Sequence, residues 1–158
     1  MKILKELAPY IIILVVVVLF RTYIATLVRV NGSSMQDTLE GSEIMIVNKL
    51  ASIDRYDIVV TDSSTNSLIK RVYGLPGETI ECKDNIIYIN DEAIEDKFAT
   101  NKTLDFDKVK LENDEYFLMG DNREVSLDSR ASGPFKKENI KGTTNFVLYP
   151  FSKFGSKE

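Results

Sequence analysis

The sequence contains no histidine and a single cysteine, Cys82, among its 158 residues. Without histidine there can be no Ser-His-Asp triad, no Cys-His dyad and no metal site with an imidazole ligand. One cysteine cannot form a disulfide within the chain or a cysteine-type zinc site. A general base, if the chain uses one, must therefore be a lysine, an aspartate, a glutamate, a tyrosine or a terminal amine.

The charge of the chain, −4 overall, argues against nucleic-acid binding. Residues 1–30 carry four basic side chains and one acidic side chain, whereas residues 31–158 carry 16 basic and 23 acidic ones. The body of the chain is therefore acidic, and it is a poor electrostatic match for phosphates. The hydrophobic content of 44% is sufficient for a folded core, and the length fits one compact domain.

The longest apolar feature is an unbroken run at residues 11–20, IIILVVVVLF, within an uncharged stretch from Leu7 to Phe20. As a helix, these 14 residues would span only about 21 Å, which is less than the hydrocarbon core of a bilayer at about 30 Å. A helix over residues 3–22 would be long enough if Lys5 and Arg21 extended towards the two interfaces. The sequence therefore predicts a single transmembrane helix at the amino end.

Two other interpretations of this run stay open. A cleaved secretory signal has a similar shape, but no small-x-small site follows in residues 20–28, FRTYIATLV. A buried core helix would have to cover ten consecutive large apolar side chains. We favour an uncleaved anchor over residues 1–25. Because Lys2 and Lys5 precede the run, we expect a single-pass cell-membrane protein with a cytoplasmic amino end and residues 26–158 outside the cytoplasm.

After residue 30 the pattern changes to short runs rich in β-branched and aromatic residues, which predict strands. The predicted strands are Ser42–Asn48, Tyr56–Thr61, Ser67–Tyr73, Asn85–Asn90 and Thr143–Tyr149. No helical period appears in this part of the sequence except around Leu50–Ile53, and the polar residues 95–114 predict a surface excursion. The body is predicted to be a single, mainly β domain.

Three segments of the body carry residues that could do chemistry. The first, NGSSMQDTL at residues 31–39, predicts a tight turn with an exposed serine hydroxyl. The third, MGDNREVSLDSR at residues 119–130, has Ser126, Asp128 and Arg130 at alternate positions, so a strand-like stretch would point all three to one side. There Arg130 could pair with both oxygens of Asp128, and Ser126 could hold a lysine amine. Taken alone, each segment fits an ordinary polar turn or loop equally well.

The second segment, LIKRVYGLPGE at residues 68–78, places a lysine between apolar neighbours. In a strand Lys70 would share a face with Leu68 and Val72, while Arg71 would face the other way. Apolar surroundings lower the pKa of a lysine, and a free lysine with a pKa of about 10.4 is neutral in only roughly one molecule in 2,500 at pH 7. Taken alone, the strand fits a lysine at a sheet edge in water.

Together, the segments resemble the type I signal peptidase family of membrane-bound serine proteases with a Ser–Lys dyad. The resemblance covers about residues 5–150 in order: the anchor, SSMQDTL, RYDIVV, KRVYGLPGE, GDNREVSLDSR and KENIKGTTNFVLYP. Two positions depart from the family pattern, since Asp37 replaces the proline of Ser-Met-x-Pro-Thr and Tyr56 replaces the glycine of Arg-Gly-Asp. Both departures concern backbone shape near the site and leave the reacting groups intact.

The resemblance implies a role for each matching residue. Ser34 would be the nucleophile, Lys70 the general base and Ser126 the partner of the Lys70 amine. Residues with a structural role in the site would be Asp121, Arg123, Asp128 and Arg130, and Met35 would contact the substrate. The family often adds a serine hydroxyl to the oxyanion hole at the position of Gly32, so here the hole would rest mainly on the Ser34 backbone N–H. The implied fold is a coiled, mostly antiparallel β-sheet domain at the membrane surface, with a reduced excursion at residues 79–115.

By the same resemblance, the chain would remove signal peptides from exported precursor proteins, cutting after a small-x-small motif. We expect an extended substrate to add between two strands, one over about Val28–Ser34 and the other over about residues 66–70. Membrane lipid is an expected partner, whereas no metal, nucleotide or other cofactor is indicated. An alternative is a non-proteolytic homologue that assists the assembly of surface structures, which Asp37 and Tyr56 favour. A self-cleaving repressor is disfavoured by the anchor and the acidic body.

Overall fold

A single long helix leads into the body of the protein. The structure is a computed structural model that describes residues 2–62 and 67–157, and its first element is α1, Lys2–Tyr23. At 22 residues the helix is about 33 Å long, enough to cross a bilayer. Its segment Glu6–Tyr23 has a mean hydropathy of 1.9, and none of that segment is buried against the rest of the protein. A buried core helix is thus excluded, and the predicted helix over residues 3–22 is confirmed.

The body consists of short strands, as the sequence predicted. All five predicted strands overlap observed ones. The strands in the described ranges are β1 Ala25–Arg29, β2 Ile44–Asn48, β3 Ile58–Asp62, β4 Ser67–Gly74, β5 Thr79–Lys83, β6 Ile86–Ile89, β7 Glu92–Ile94, β8 Phe106–Lys110, β9 Glu115–Met119, β10 Phe135–Lys136, β11 Ile140–Tyr149 and β12 Gly155–Ser156. One short helix, α2 Ser129–Ser132, lies between β9 and β10.

The strands form two antiparallel sheets. The larger has the order β1-β2-β11-β3-β4-β9-β10, with β12 paired to β11, and the smaller has the order β7-β6-β5-β8. Three strands separate β1 from β4 in the larger sheet, yet both line one cleft, so this sheet curls back towards itself. The fold is mainly β with a curled antiparallel sheet and an amino-terminal apolar helix, and the predicted fold class is confirmed.

The sequence analysis was wrong about two local segments. Residues 95–114 were expected to be a polar surface excursion, but part of this segment forms β8, which pairs with β5 and completes the smaller sheet. The strand was missed because three of its five residues are charged. Only Phe106 and Val109, which are half-buried, carry the apolar signal of a strand. Leu50–Ile53 forms bends and extended backbone, with no helix.

The hydrophobic core lies in three clusters, and one of them supports the turn that follows β1. In this cluster Val30, Met35 and Leu39 pack with residues from β2, β3, β4 and β11. The Val30 N–H donates a 2.8 Å hydrogen bond to Glu43 O, and the Ser42 N–H donates a 2.9 Å bond to Val30 O. Residues 31–41 therefore form a loop whose two ends are joined by backbone hydrogen bonds at its base.

A buried carboxylate lies at the base of this loop. Glu43 is 2% exposed, and neither of its carboxylate oxygens makes a geometrically acceptable hydrogen bond within the described residues. Its counter-charge is the Lys153 ammonium, 3.1 Å from Glu43 Oε1 and 2.7 Å from Glu40 Oε2. Removal of a buried ion's partner leaves an uncompensated charge, which is costly in free energy.

We expect Lys153→Met to lower the free energy of unfolding, because the buried Glu43 carboxylate would lose the ammonium beside it. The double variant Lys153→Met with Glu43→Met should recover most of this loss. Urea unfolding of the detergent-solubilised protein measures both values, and Lys136→Met serves as a control at an exposed lysine. Equal stability of wild type and Lys153→Met would show that the ion pair contributes nothing.

Candidate active site

Ser34 and Lys70 meet in the structure, although 36 positions separate them in the sequence. The Lys70 Nζ donates a 2.7 Å hydrogen bond to Ser34 Oγ. Ser34 lies in the turn that follows β1, whereas Lys70 lies in the middle of β4. A nucleophile and a base within hydrogen-bonding distance are the minimum arrangement for proton transfer from a serine hydroxyl.

Lys70 is buried, which excludes a lysine whose ammonium lies in water. Its side chain is 2% exposed, and its neighbour on the same face, Val72, is fully buried. Burial lowers the pKa of Lys70 to about 8, an effect that the positive charge of Arg130 reinforces and the carboxylates of Asp128 and Asp121 oppose. The amine can thus lose its proton near neutral pH because it is shielded from water.

Arg71 faces away from Lys70 and connects β4 to two loops. Its guanidinium donates to both oxygens of Asp121, at 2.9 and 2.7 Å, and the Thr38 Oγ1 donates to Asp121 Oδ2 at 2.6 Å. The Asn122 N–H donates a 3.0 Å bond to Ser34 O. The turn that carries Ser34 is therefore held by the Asp121–Asn122 segment. Sequence reasoning missed Arg71 and Thr38 as site residues, and the only signal for Arg71 was its place beside Lys70.

Asp128 and Arg130 form the predicted bidentate pair, but the backbone that carries them is not a strand. The guanidinium of Arg130 donates to both Asp128 oxygens at 2.9 Å, and the Gly120 N–H donates to Asp128 Oδ2 at 2.9 Å. Burial on its own would raise the pKa of Asp128, but these contacts hold it below its usual value. The expectation of a strand was wrong here, because Asp128 caps α2 and the segment before it forms turns.

Arg123 anchors the same loop to β4 and to the segment that follows β7. It donates to Asp96 Oδ1 and to Tyr73 Oη, both at 2.7 Å, and to Gly120 O at 3.0 Å. Tyr73 in turn donates to Asp96 at 2.6 Å. Asp96 was missed by the sequence analysis because it lies in the segment predicted to be a polar surface excursion.

Ser126 does not make the predicted hydrogen bond to Lys70. Its Oγ is buried and has no hydrogen-bond partner among the described residues. It lies close enough to the Asp128 carboxylate to help lower the pKa of Asp128. Because this segment forms turns and not the expected strand, the side chain of Ser126 lies against Gly120. A Cβ at Gly120 would lie 2.2 Å from Ser126 Oγ and 2.5 Å from Ser34 O, so only glycine fits between them.

The backbone near Ser34 leaves room for an oxyanion. In the described part of the chain the Ser34 N–H donates to no acceptor. Gly32, at the position where the resembled family often has serine, has a φ of +87°, and a Cβ there would meet no atom within 4 Å. The assignment of the oxyanion hole to the Ser34 N–H stays a prediction.

A cleft of about 660 Å³ lies beside the serine–lysine pair. Its walls are the residues from Leu27 to Gly32 on one side and Ser67 to Lys70 on the other, with Ser34 and Met35 at its end. Residues 67–70 of the second predicted strand lie in β4, and Asn66 lies outside the described residues. The first predicted strand, about Val28–Ser34, was largely wrong, because β1 ends at Arg29 and residues 30–34 form a loop. Met35 is 2% exposed and belongs to the core cluster that also contains Val30 and Ile69.

The cleft is bordered by backbone edges that can accept another strand. In the described ranges β1 pairs only with β2, and residues 67–70 of β4 pair only with β3, because the pairing of β4 with β9 starts at Arg71. Unpaired edges of this kind bind extended peptides through backbone hydrogen bonds. In the described parts of the chain, no group of three acidic, histidine or cysteine side chains could hold a metal ion.

The two departures from the resembled pattern both have positive φ values. Asp37 has a φ of +76° and Tyr56 a φ of +72°. The conformation of Tyr56 is one that glycine adopts freely and tyrosine rarely does. It persists here because the Tyr56 ring packs against Tyr73 and Phe98, with centroids 5.6 and 5.4 Å apart, and because its hydroxyl donates to Glu95 O.

The chain is similar in sequence and fold to several known proteins. The model of the family described as signal peptidase, peptidase S26, matches residues 3–149. Signal peptidase I S of Bacillus subtilis (strain 168) is 39% identical over 170 residues, covering 96% of this chain and 92% of the relative. Signal peptidase I of Streptococcus pneumoniae serotype 4 is 31% identical over 196 residues, covering 97% and 96%. The crystal structure of a signal peptidase I from Enterococcus faecalis V583 matches with a TM-score of 0.53 and 31% identity, covering 59% of this chain and 97% of that one.

We expect Asp37→Pro, which restores the residue of the family pattern, to destabilise this chain. Proline fixes φ near −65° and cannot adopt the observed +76°, so the turn would have to rearrange at a cost of about 1–3 kcal/mol. Asp37→Gly should leave the stability unchanged or raise it. Thermal unfolding of the three proteins tests this, and a proline variant as stable as wild type would contradict the observed turn.

Proposed function

Because the chain belongs to the type I signal peptidase family, a family of serine peptidases, we propose that Ser34 and Lys70 are the dyad with which it removes signal peptides from exported precursor proteins. The observation that carries the proposal is the 2.7 Å contact between Lys70 Nζ and Ser34 Oγ at a buried position. In a chain without histidine, a buried lysine beside a serine is a base that can work near neutral pH.

The reaction is an acyl transfer in two steps. Neutral Lys70 takes the proton of the Ser34 hydroxyl while Ser34 Oγ bonds to the scissile carbonyl carbon. The ammonium of Lys70 then gives that proton to the leaving amine as the peptide bond breaks, which leaves an acyl-enzyme. In the second step Lys70 takes a proton from water, whose oxygen bonds to the ester carbon, and the Lys70 ammonium returns that proton to Ser34 Oγ as the ester bond breaks and the acid product leaves. With a pKa of about 8, roughly a tenth of the Lys70 side chains are neutral at pH 7.

The Ser34 backbone N–H is the proposed donor to the oxyanion of each tetrahedral intermediate. A donor of this kind is worth about 3–4 kcal/mol of transition-state stabilisation. The site-supporting roles belong to Asp121, Arg123, Asp128 and Arg130, which hold the Ser34 turn and the loop around it, as described above. Gly120 lies between Ser126 and the carbonyl oxygen of Ser34, so Ser126 limits the space behind the nucleophile.

The cleft suits an extended peptide with small side chains before the cleaved bond. The open edges of β1 and of residues 67–70 can each pair with the peptide backbone. Met35 and Ile69 line the cleft and are packed into the core, so in this proposal the space that they leave accepts only small side chains. The proposed specificity is therefore cleavage after a small-x-small motif, with Met35 forming part of the substrate-binding floor.

The enzyme is membrane-anchored through α1. We assign residues 1–25 to the cytoplasmic start and the anchor, and residues 26–158 to a catalytic domain outside the cytoplasm, because Lys2 and Lys5 precede the span. Membrane lipid surrounds the helix in this arrangement. Anchoring the enzyme and its precursors in one membrane raises the effective concentration of the cleavage site.

A non-proteolytic role in the assembly of surface structures is the alternative, and Asp37 and Tyr56 were the residues that favoured it. Both residues adopt the left-handed conformation without separating the serine from the lysine. An assembly factor needs neither the contact between these side chains nor the burial of the lysine. The geometry of the dyad therefore favours the peptidase.

We expect membranes with wild-type protein to process a labelled exported precursor, and membranes with Ser34→Ala or Lys70→Met to lose at least about a thousandfold in rate, because each variant removes a reacting group. Lys83→Met, at an exposed lysine, is the matched control and should process at the wild-type rate. Processing by all four proteins would show that Ser34 and Lys70 are not a catalytic dyad and would favour the assembly role.

The pH dependence should report the ionisation of Lys70. Because the neutral amine is the active form, kcat/KM should rise tenfold per pH unit below the pKa and level off above about pH 8. A profile measured between pH 5.5 and 10 on detergent-solubilised enzyme distinguishes this base from an unshifted lysine, whose rate would still rise at pH 10. A profile that is level from pH 6 would assign the base to a carboxylate.

A further inference from the structure

A second cavity, of about 400 Å³, lies between the end of α1 and β1. Most of its lining is apolar, and its residues are Val17, Phe20, Arg21, Ala25, Thr26, Leu27 and Ile46. We refer to this cavity as the anchor groove. The side chains of Phe20 and Leu27 are 52% and 61% exposed, so no other part of the described protein covers them.

The anchor groove adjoins the catalytic cleft at one residue of β1. Leu27 lines both cavities, and β1 runs from the groove at Ala25 towards the turn that carries Ser34. A peptide that pairs with the open edge of β1 at the cleft therefore reaches the groove by continuing along the same strand. The five residues of β1 span roughly 17 Å, so an extended peptide needs about five residues to cover that distance.

The walls of the anchor groove are held in place by Lys49, which follows β2. Its ammonium donates to Arg21 O and Thr22 O at 3.1 and 2.9 Å, and its backbone N–H donates to Ile24 O at 3.0 Å. A cation at the carboxyl end of a helix satisfies free carbonyls and complements the helix dipole. The end of the anchor is thereby fastened to the sheet, and the groove exists before substrate arrives.

The direction of the bound precursor follows from the membrane. A signal sequence has an apolar segment of about 7–15 residues ahead of its cleavage site. Before cleavage that segment shares the bilayer with α1, whereas the mature part lies outside. The apolar segment must therefore enter the cleft from the end that adjoins α1, which is the end with the anchor groove.

We infer that the anchor groove is a subsite for the apolar segment of the precursor, binding residues about six to ten positions before the cleaved bond. The inference rests on the proposed function and extends it, because it gives the enzyme a contact with the part of the signal peptide that the catalytic cleft does not reach. Lipid acyl chains are the competing occupant of such a surface.

Disulfide trapping tests this occupant directly. The full-length Ser34→Ala protein, which holds precursor without cutting it, is given a cysteine by Phe20→Cys and placed in liposomes with precursors that carry one cysteine each at positions 5 to 12 before the cleaved bond. Leu19→Cys, outside the groove, is the matched control, and Val28→Cys reports occupation of the catalytic cleft. The native Cys82 is buried and gives little background.

We expect Phe20→Cys to form a disulfide with precursor cysteines at positions 6 to 10, at several times the yield of Leu19→Cys. Trapping at Val28 without trapping at Phe20 would overturn the inference that the anchor groove binds the precursor, and it would leave the proposed function intact. Absence of trapping at both positions would overturn both proposals.

Kinetics give a second readout on the active enzyme. Phe20→Ala should raise KM for the full precursor about tenfold and leave kcat unchanged, while a short peptide that ends four residues before the cleaved bond should be processed as by wild type. Leu19→Ala is the control. An unchanged KM for the full precursor would show that lipid, and no part of the substrate, occupies the groove.

Discussion

The contact between a buried ammonium and a serine hydroxyl is the constraint on which the rest of this structure depends. An isolated lysine in a protein interior is unfavourable, because burial removes the water that solvates its charge. Lys70 is nevertheless 2% exposed and has a pKa of about 8. Its Nζ keeps a hydrogen-bond partner in Ser34 Oγ, and nearby carboxylates offset part of the burial. The fold thus tolerates a weakened ammonium, and the same burial makes the amine a usable base.

The surrounding polar network keeps the two reacting groups together. Asp121 joins Arg71 on β4 to Thr38 in the loop that carries Ser34, so the positions of Lys70 and Ser34 are coupled through a single carboxylate. Arg123 and Arg130 fasten the neighbouring loop through further buried ion pairs. Buried pairs of this kind contribute little net stability, but removal of one partner is costly. Their effect here is to fix the arrangement of loops that have few apolar residues of their own.

Membrane anchoring shapes the site as well as its location. One residue, Ile24, separates α1 from β1, and β1 forms one wall of the catalytic cleft. Lys49 joins the carboxyl end of the helix to the sheet that carries the cleft. Under the proposed function, this arrangement presents the cleft to a precursor that lies in the same membrane.

The sequence by itself determined the apolar helix, the mainly β body and the choice of Ser34 and Lys70 as the proposed dyad, because each depends on local pattern: an apolar run, alternation in short strands, and motifs whose order matches a known family. Tertiary structure decided the rest. Whether Lys70 is buried or in water depends on strands that are distant in the sequence, and so does the pairing of Arg71 with Asp121. The direction of Ser126 depends on a turn and a capped helix that alternation alone could not reveal. Long-range packing sets the environment of a side chain, and the environment sets its pKa and its partners.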